Sequence, residues 1–309
     1  MTRTNNTLGI VCVVAGLAIF SVQDLILKLL SGSYPLHQAM VLRSLTAAPL
    51  MLAIVWRYDG TLRTLLTPGW SRMLARGLLN FLAYGSFYLG LAALPLATTV
   101  ALYFTAPLMI TVLSVVILRE SVSVARWLAV IAGFGGVLIL VRPGSDLFEW
   151  AALLPVVSGL AYGMSMIFAR TLGRTETAAA MAFWGNVAFL ACALILSVIF
   201  GTGAFEGQTH ASLAFLMRGW VWPSGSDVAL MCICGVIAAF GLTLLTQAYR
   251  IAKSSVVAPF EYSLLFWGVL WGWLIWGDWP DATGWLGISV IIGAGLFVLY
   301  RENREQAMA

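Results

Sequence analysis

Charge is scarce in this chain. Asp, Glu, Lys and Arg make up 10% of its 309 residues, against about 25% in a typical soluble domain. The AVILMFWYC set reaches 61%. A chain this apolar needs a solvent that does not penalise apolar surface, and the bilayer is that solvent. Histidine is nearly missing, with His37 and His210 the only two. No nucleotide-binding P-loop, His-Glu-x-x-His or Gly-x-Ser-x-Gly is present, so ATP hydrolysis on this chain and the corresponding hydrolases are excluded. Lysine is limited to Lys28 and Lys253. The remaining basic residues are arginines scattered between apolar stretches. They form no stripe that could follow a phosphate backbone, which argues against nucleic acid. The four cysteines (Cys12, Cys192, Cys232, Cys234) all fall inside apolar stretches. They read as packing residues, and Cys232-Ile-Cys234 lacks the further ligands of a metal or redox site.

What the chain has is ten apolar stretches, at about 8–30, 37–56, 74–93, 97–118, 125–141, 147–170, 177–200, 228–249, 255–276 and 284–300. Each is long enough to cross a ~30 Å hydrocarbon core as a helix. The first contains Asp24 and Lys28 and lacks a small-residue cleavage site, so it reads as a retained helix and not as a signal peptide. The fold class expected is all-α integral membrane. Basic residues fall in alternate gaps. Arg3, Arg57, Arg63, Arg72, Arg76, Arg119, Arg126, Arg170, Arg174, Arg250, Lys253, Arg301 and Arg304 share one face, and only Arg142 and Arg218 lie on the other. The positive-inside rule then puts both termini in the cytoplasm of a multi-pass protein of the bacterial inner membrane. The one long gap, 201–227, reads as an interfacial loop on the outer side, with Trp220, Trp222 and Pro223.

The halves repeat. Ala97–Pro107 aligns with Ala252–Tyr262, Glu120 with Asp278, and Trp127-Leu…Gly135-Gly136 with Trp285-Leu…Gly293-Ala294. Residues 1–145 and 146–309 each hold five spans. Five is odd, so the second half enters the membrane inverted. The expected architecture is ten transmembrane helices in two inverted five-helix repeats, with a site near the midplane between them.

Three blocks carry a family resemblance. They are Asp24…Lys28…Tyr34-Pro…Arg43; Ala93-Leu-Pro-Leu-Ala-Thr-Thr…Ala106-Pro107…Leu118-Arg-Glu120 with Trp127 and Gly135-Gly136; and Val257-Ala-Pro-Phe-Glu-Tyr262…Trp276-Gly-Asp278-Trp-Pro-Asp281 with Gly287. Together they resemble the drug/metabolite transporter superfamily, EamA type, over nearly the whole chain. The resemblance implies alternating access and a central cavity for a small organic solute. It is nearest a bacterial branch that includes S-adenosylmethionine and riboflavin uptake carriers, while amino-acid exporters share the architecture. The first repeat has Pro107 where the second has Tyr262.

Few charges lie within spans, and each needs a partner or a role. Asp24 and Lys28 are four apart on one helix face and read as an intrahelical ion pair. Alternatively Asp24 pairs with Arg43, borders the cavity and takes up a proton. Arg43 either pairs with an acid or reaches the interface. Glu261, two residues after Pro259, reads as a coupling carboxylate or a contact for a cationic group, with a structural pair to Lys253 or Arg250 as the alternative. On the third helix Asn80, Tyr84, Phe87 and Tyr88 share one face. That face suits a flat, partly polar ligand. Tyr103, Ser158, Tyr162 and Gln247 extend it, and of the Trp cluster, Trp267 and Trp271 share a face that could line the cavity. Each of these also reads as interhelical packing. Gly133, Gly135, Gly136, Gly293 and Gly295 read as close-packing positions between helices. The residues imply no cofactor and no metal.

The function expected is secondary transport of a small organic metabolite, leaning to uptake of a ring-bearing vitamin or cofactor such as riboflavin or S-adenosylmethionine, by a monomer or homodimer. Export of amino acids stays open, because alternating access is reversible. A non-transporting membrane protein is the remote reading. An enzyme would need catalytic groups clustered at one depth, and a sensor a soluble domain.

Overall fold

The computed structural model describes residues 6–118, 124–142, 149–173, 175–251 and 258–308. Among them every regular element is helical. In chain order they are α1 (Asn6–Leu30), α2 (Leu36–Asp59), α3 (Trp70–Ala93), α4 (Leu96–Tyr103), α5 (Ala106–Leu118), α6 (Val124–Val141), α7 (Leu153–Leu172), α8 (Ala178–Phe200), α9 (Ala211–Met217), α10 (Gly225–Ile251), α11 (Ser263–Trp276) and α12 (Ala282–Met308). Short 3-10 turns precede α3, α7 and α11, at Leu62–Leu66, Trp150–Ala152 and Ala258–Tyr262. Five described stretches, at 7–30, 36–59, 150–169, 178–200 and 225–245, are long and apolar enough to cross a membrane, and shorter apolar helices lie at 127–141 and 282–294.

Helix ends follow local chemistry. The Thr177 hydroxyl accepts from Ala180 N at 3.1 Å and caps α8. Gly60 and Gly277, at φ of 71° and 72°, end α2 and α11 in the left-handed conformation that glycine adopts at least cost. Large apolar side chains such as Leu45, Leu82, Ile131, Ile195, Val198, Phe266 and Leu274 are exposed. Surface of this kind is matched by lipid tails.

Three departures from the expected spans matter. The fourth stretch is not one helix. It stops at Tyr103 and resumes at Ala106, because Pro107 has no N–H to return to the Tyr103 carbonyl. Instead Phe104 N reaches Ala101 O at 3.1 Å and Thr105 Oγ1 donates to Leu102 O at 2.9 Å. In the ninth stretch, described structure begins with the turn Ala258–Tyr262 and the helix itself starts at Ser263; residues 252–257, with Lys253, lie outside the described residues. The long gap also contains a helix, α9, whose Phe215 is buried.

The packing is reciprocal. α1 lies along α10 and α3 along α7; α3 packs on α8 and α10 on α2; α2 pairs with α8, α4 with α11 and α6 with α12. The last pair meets through glycine. A side-chain carbon on Gly136 would stand 3.0 Å from Gly287 O, and one on Gly287 would stand 3.1 Å from Gly136 O. Of the other glycines expected to pack, Gly133 faces Leu108 and Ala294, whereas Gly135 and Gly293 face open space. Gly287 does the work expected of Gly293, because it lies on the face that α6 covers. Glu120 lies outside the described residues, as do the surroundings of Gly295.

Candidate functional site

A cavity opens where α1, α3, α4 and α7 meet the turn before α11. Leu17, Phe20 and Asp24 come from α1, Ala83, Tyr84 and Phe87 from α3, and Tyr103 with Phe104 from the end of α4. Ser158 and Tyr162 come from α7, and Leu245, Glu261 and Leu264 complete the lining. The empty space between them is about 610 Å³, counting the part open to solvent.

The walls are aromatic. Phe20 stacks on Tyr84 with ring centres 6.3 Å apart, and Phe87 meets Tyr103 edge-on at 5.5 Å. Tyr103 meets Tyr162 at 5.6 Å, and Phe104 lies 4.8 Å from Tyr262. The helix break after Tyr103 brings Tyr103 and Phe104 to the wall of this space. Gly159 allows the approach. A side-chain carbon there would meet Thr105 Oγ1 at 2.8 Å and Tyr103 O at 3.2 Å, so α7 can lie against the break only because that carbon is absent.

Two carboxylates share the lining. Asp24 is 6% exposed and, among the described residues, neither hydrogen bond nor ion pair holds its carboxylate. Neither pairing expected for it forms. Lys28 turns away to donate to the carbonyls of Leu91 at 3.0 Å and Leu94 at 2.5 Å, where α3 ends, and lies over the Trp276 ring. A cation there satisfies carbonyls that the helix end leaves open. Arg43 donates through Nε to Gln23 Oε1 at 3.1 Å and sits 5.0 Å over the Phe189 ring, an arrangement favoured by the negative face of the ring. Arg43 acts on Asp24 only through space. Glu261 is half-buried in the turn before α11, close enough to Tyr162 and Tyr84 to act on both electrostatically.

The sequence of one family covers much of this frame. The profile of the EamA-like transporter family matches residues 7–142. A riboflavin transporter of Rhizobium johnstonii is 35% identical over 235 residues, 76% of this chain and 72% of its own. The chain belongs to the EamA-like transporter family. A riboflavin transporter of Vibrio cholerae is 30% identical over 212 residues, covering 68% of this chain and 65% of its own. An S-adenosylmethionine uptake transporter of Rickettsia prowazekii is 26% identical over 232 residues, 75% of this chain and 72% of its own. A solved crystal structure aligns over 95% of this chain and 98% of its own, with a TM-score of 0.65 at 15% identity, which speaks for the fold alone.

In this EamA-like transporter the cavity gathers Asp24, Tyr84, Tyr103, Tyr162 and Glu261 from the residues singled out in the sequence, with Phe87 and Ser158. The others stand outside the lining. Asn80 is buried on α3 one turn from Tyr84. Tyr88 is buried and accepts from Gln23 Nε2 at 2.5 Å. Gln247 is half-buried on α10. Trp267 stacks on Trp271 at 6.2 Å, and Trp271 Nε1 donates to Ser21 Oγ at 3.1 Å. Two residues beside the cavity are not among those the sequence singles out as a site. Gln23 links Tyr88 to Arg43; its only signal is its place beside Asp24. Arg76 sends Nε to Ser165 O at 3.3 Å and acts electrostatically on Tyr84 and Tyr162. Its spacing of four from Asn80 and eight from Tyr84 puts it on the same helical face.

Proposed function

We propose that this chain is a secondary transporter of the bacterial inner membrane, which moves a ring-bearing vitamin or cofactor inward by alternating access. Riboflavin is the first candidate and S-adenosylmethionine the second. The observation that carries the reading is the cavity itself, an aromatic cage that holds two carboxylates in the middle of a bundle too apolar for water. Aromatic walls bind a flat ring through stacked and edge-on contacts. The names of the relatives in Rhizobium johnstonii and Vibrio cholerae supply the first candidate.

The architecture proposed is ten spans in two inverted repeats, residues 1–145 and 146–309, with both termini cytoplasmic, as a monomer or homodimer. The reciprocal packing supports it. If α1, α2, α3, α4–α5 and α6 correspond in order to α7, α8, α10, α11 and α12, exchanging the halves turns the α1–α10 contact into the α7–α3 contact, and the α2–α10 contact into the α8–α3 contact. Exchange maps α2–α8, α4–α11 and α6–α12 onto themselves. The break after Tyr103 and the turn before α11 fall at matching points of the two halves. Discontinuous helices at a repeat interface are where transporters of this build hold their substrates. Asp24 and Glu261 are the groups proposed to couple transport to protons.

The test is uptake into proteoliposomes of riboflavin, S-adenosylmethionine, tryptophan and threonine, with and without an imposed pH gradient. Saturable riboflavin or S-adenosylmethionine flux that the gradient enhances supports the reading. Flux of tryptophan or threonine alone overturns it in favour of an amino-acid carrier.

A further inference from the structure

The interface of α3 with α7 carries a row of polar side chains that leads away from the cavity. Arg76, Asn80 and Tyr84 stand four apart on α3 and so share one face. Ser158, Tyr162 and Ser165 follow each other at four and three on α7 and share another. The helices run antiparallel, since a side-chain carbon on Gly90 would stand 2.9 Å from Pro155 while Arg76 reaches Ser165. The two faces meet at both ends of the row. Tyr84 lines the cavity with Ser158 and Tyr162, and Arg76 Nε donates to Ser165 O at 3.3 Å. Asn80 lies between Arg76 and Tyr84, which places it opposite the stretch from Tyr162 to Ser165.

Buried polar groups are nearly always hydrogen-bonded, and one left without a partner costs free energy until something supplies it. Along this row the partners are missing. Ser158 and Ser165 are 1% and 0% exposed, and neither hydroxyl has a partner among the described residues. Asn80 is 8% exposed, and its side-chain amide makes no hydrogen bond there. Arg76 is half-buried and uses Nε alone, which leaves the two terminal nitrogens of its guanidinium without an acceptor among the described residues. From Tyr84 to Arg76 the row runs about 12 Å along α3, out of the aromatic cage toward the end of α3 that begins at Trp70, the proposed cytoplasmic end.

We infer that Asn80, Arg76, Ser158 and Ser165 form a second subsite, which holds an oxygen-rich chain attached to the ring that the aromatic cage holds. The substrate class is a flat ring carrying a hydroxylated or carboxylated chain. The Asn80 amide and the Arg76 guanidinium donate to the oxygens of the chain, and the serine hydroxyls donate or accept as each position requires. A ring without the chain leaves all four groups unpaired, and a site built to hydrogen-bond a group rejects the analogue that lacks it. Riboflavin and S-adenosylmethionine both have this two-part form. The inference rests on the cavity being the substrate site, as proposed above, and not on which ring is carried.

The test is equilibrium binding to the purified full-length protein in lipid nanodiscs, with solutes that share a ring and differ in the chain. Riboflavin is compared with lumiflavin, in which a methyl group replaces the ribityl chain, and S-adenosylmethionine with its decarboxylated form. Each complete solute should bind at least about tenfold more tightly than its truncated partner. Asn80→Ala and Ser165→Ala should each weaken riboflavin by about fivefold and leave lumiflavin within about twofold. Arg76→Gln should weaken S-adenosylmethionine about tenfold more than the decarboxylated form. If Arg76→Gln does not fold, as judged by gel filtration, the wild-type ratios and the other two variants carry the test. Chain-dependent binding of either pair that Asn80→Ala abolishes upholds the subsite. Equal affinity within both pairs overturns it, as do variants that weaken complete and truncated solutes alike, or no binding of any probe. Chain-dependent binding without uptake into proteoliposomes upholds the subsite while the transport reading fails. Saturable riboflavin uptake with equal binding of lumiflavin keeps that reading and sinks the subsite.

Discussion

The cavity and the loop-bearing end of the bundle treat polar groups in opposite ways. Around loop 201–224 they are tied off. Arg218 donates to Ser31 O at 3.1 Å and Tyr34 O at 3.2 Å, and Gln38 bonds both backbone groups of Val221. His37 holds Ser197 and the Arg218 carbonyl, and Ser212 reaches Leu89 O at 2.7 Å. His210 meets Glu149 at 2.8 Å and holds that carboxyl below its usual range through this bond. In the cavity, Asp24 and Ser158 are left open. Most buried polar groups find partners inside the chain, although among the described residues Ser44, Ser165, Tyr262, Ser263 and the side-chain oxygen of Asn186 also lack one outside the cavity lining. Loop 201–224 is thus latched to one end of the bundle, the proposed outer end.

The largest expected effect comes from disturbing the cavity wall. Gly159→Val would push β-branched carbons into Thr105 and the Tyr103 carbonyl, which already lie within about 3 Å of where the first carbon would stand. The α4–α5 break would be displaced and Tyr103 and Phe104 with it. Uptake should fall by a hundredfold or more, on the order of the loss from a misplaced binding group, while the protein still inserts and purifies. Uptake above a tenth of wild type would show that the break does not shape the site.

That break shows what the sequence did and did not disclose. The helices were legible because apolar runs of span length have few other uses, and Tyr84, Tyr103 and Tyr162 were legible as aromatic residues on polar faces. The interruption after Tyr103 was not, since Pro107 lies in an apolar run that continues on both sides. α9 has no signature in the sequence because seven residues are too few to show a period. The partners of Asp24, Lys28 and Arg43 differ from the expected ones for one reason. Pairing opposite charges ignores the carbonyls at a helix end, the amide of Gln23 and the face of Phe189, which take up the two cations at less cost in geometry. Arg76 enters the sequence reading only as one of the basic residues of the cytoplasmic side, although its spacing from Tyr84 puts both on the same face of α3.

A middling effect should come from the latch. Arg218→Ala removes two charge-assisted hydrogen bonds and leaves the Ser31 and Tyr34 carbonyls to find water. The expected cost is about 2 kcal/mol of stability, read as a lower midpoint of thermal unfolding in detergent. Binding in the cavity should persist, because no cavity residue moves. A variant that unfolds like wild type would mean the latch is ornamental, and one that loses binding would mean the two regions are coupled.

The smallest effect is expected where an exposed ion pair sits on a strained residue. Arg142 ends α6 at φ of 50°, a left-handed conformation that non-glycine residues adopt at a cost. Its guanidinium holds Asp281, before α12, at 2.6 and 2.7 Å. Asp281 is exposed, and exposed pairs contribute little. Arg142→Ala keeps the strain and loses the pair, whereas Arg142→Gly loses the pair and relieves the strain. The glycine variant should therefore be the more stable of the two by roughly 1 kcal/mol. The pH dependence has a definite sign. The guanidinium holds the Asp281 carboxyl below its usual range, so its contribution is present above the ordinary carboxylate pKa of about 4 and fades only as the pH falls below it. The gap between wild type and Arg142→Gly should be constant from neutral pH to about 5 and should shift toward glycine only below about 4. If alanine matches glycine, the positive φ at Arg142 carries no strain worth relieving.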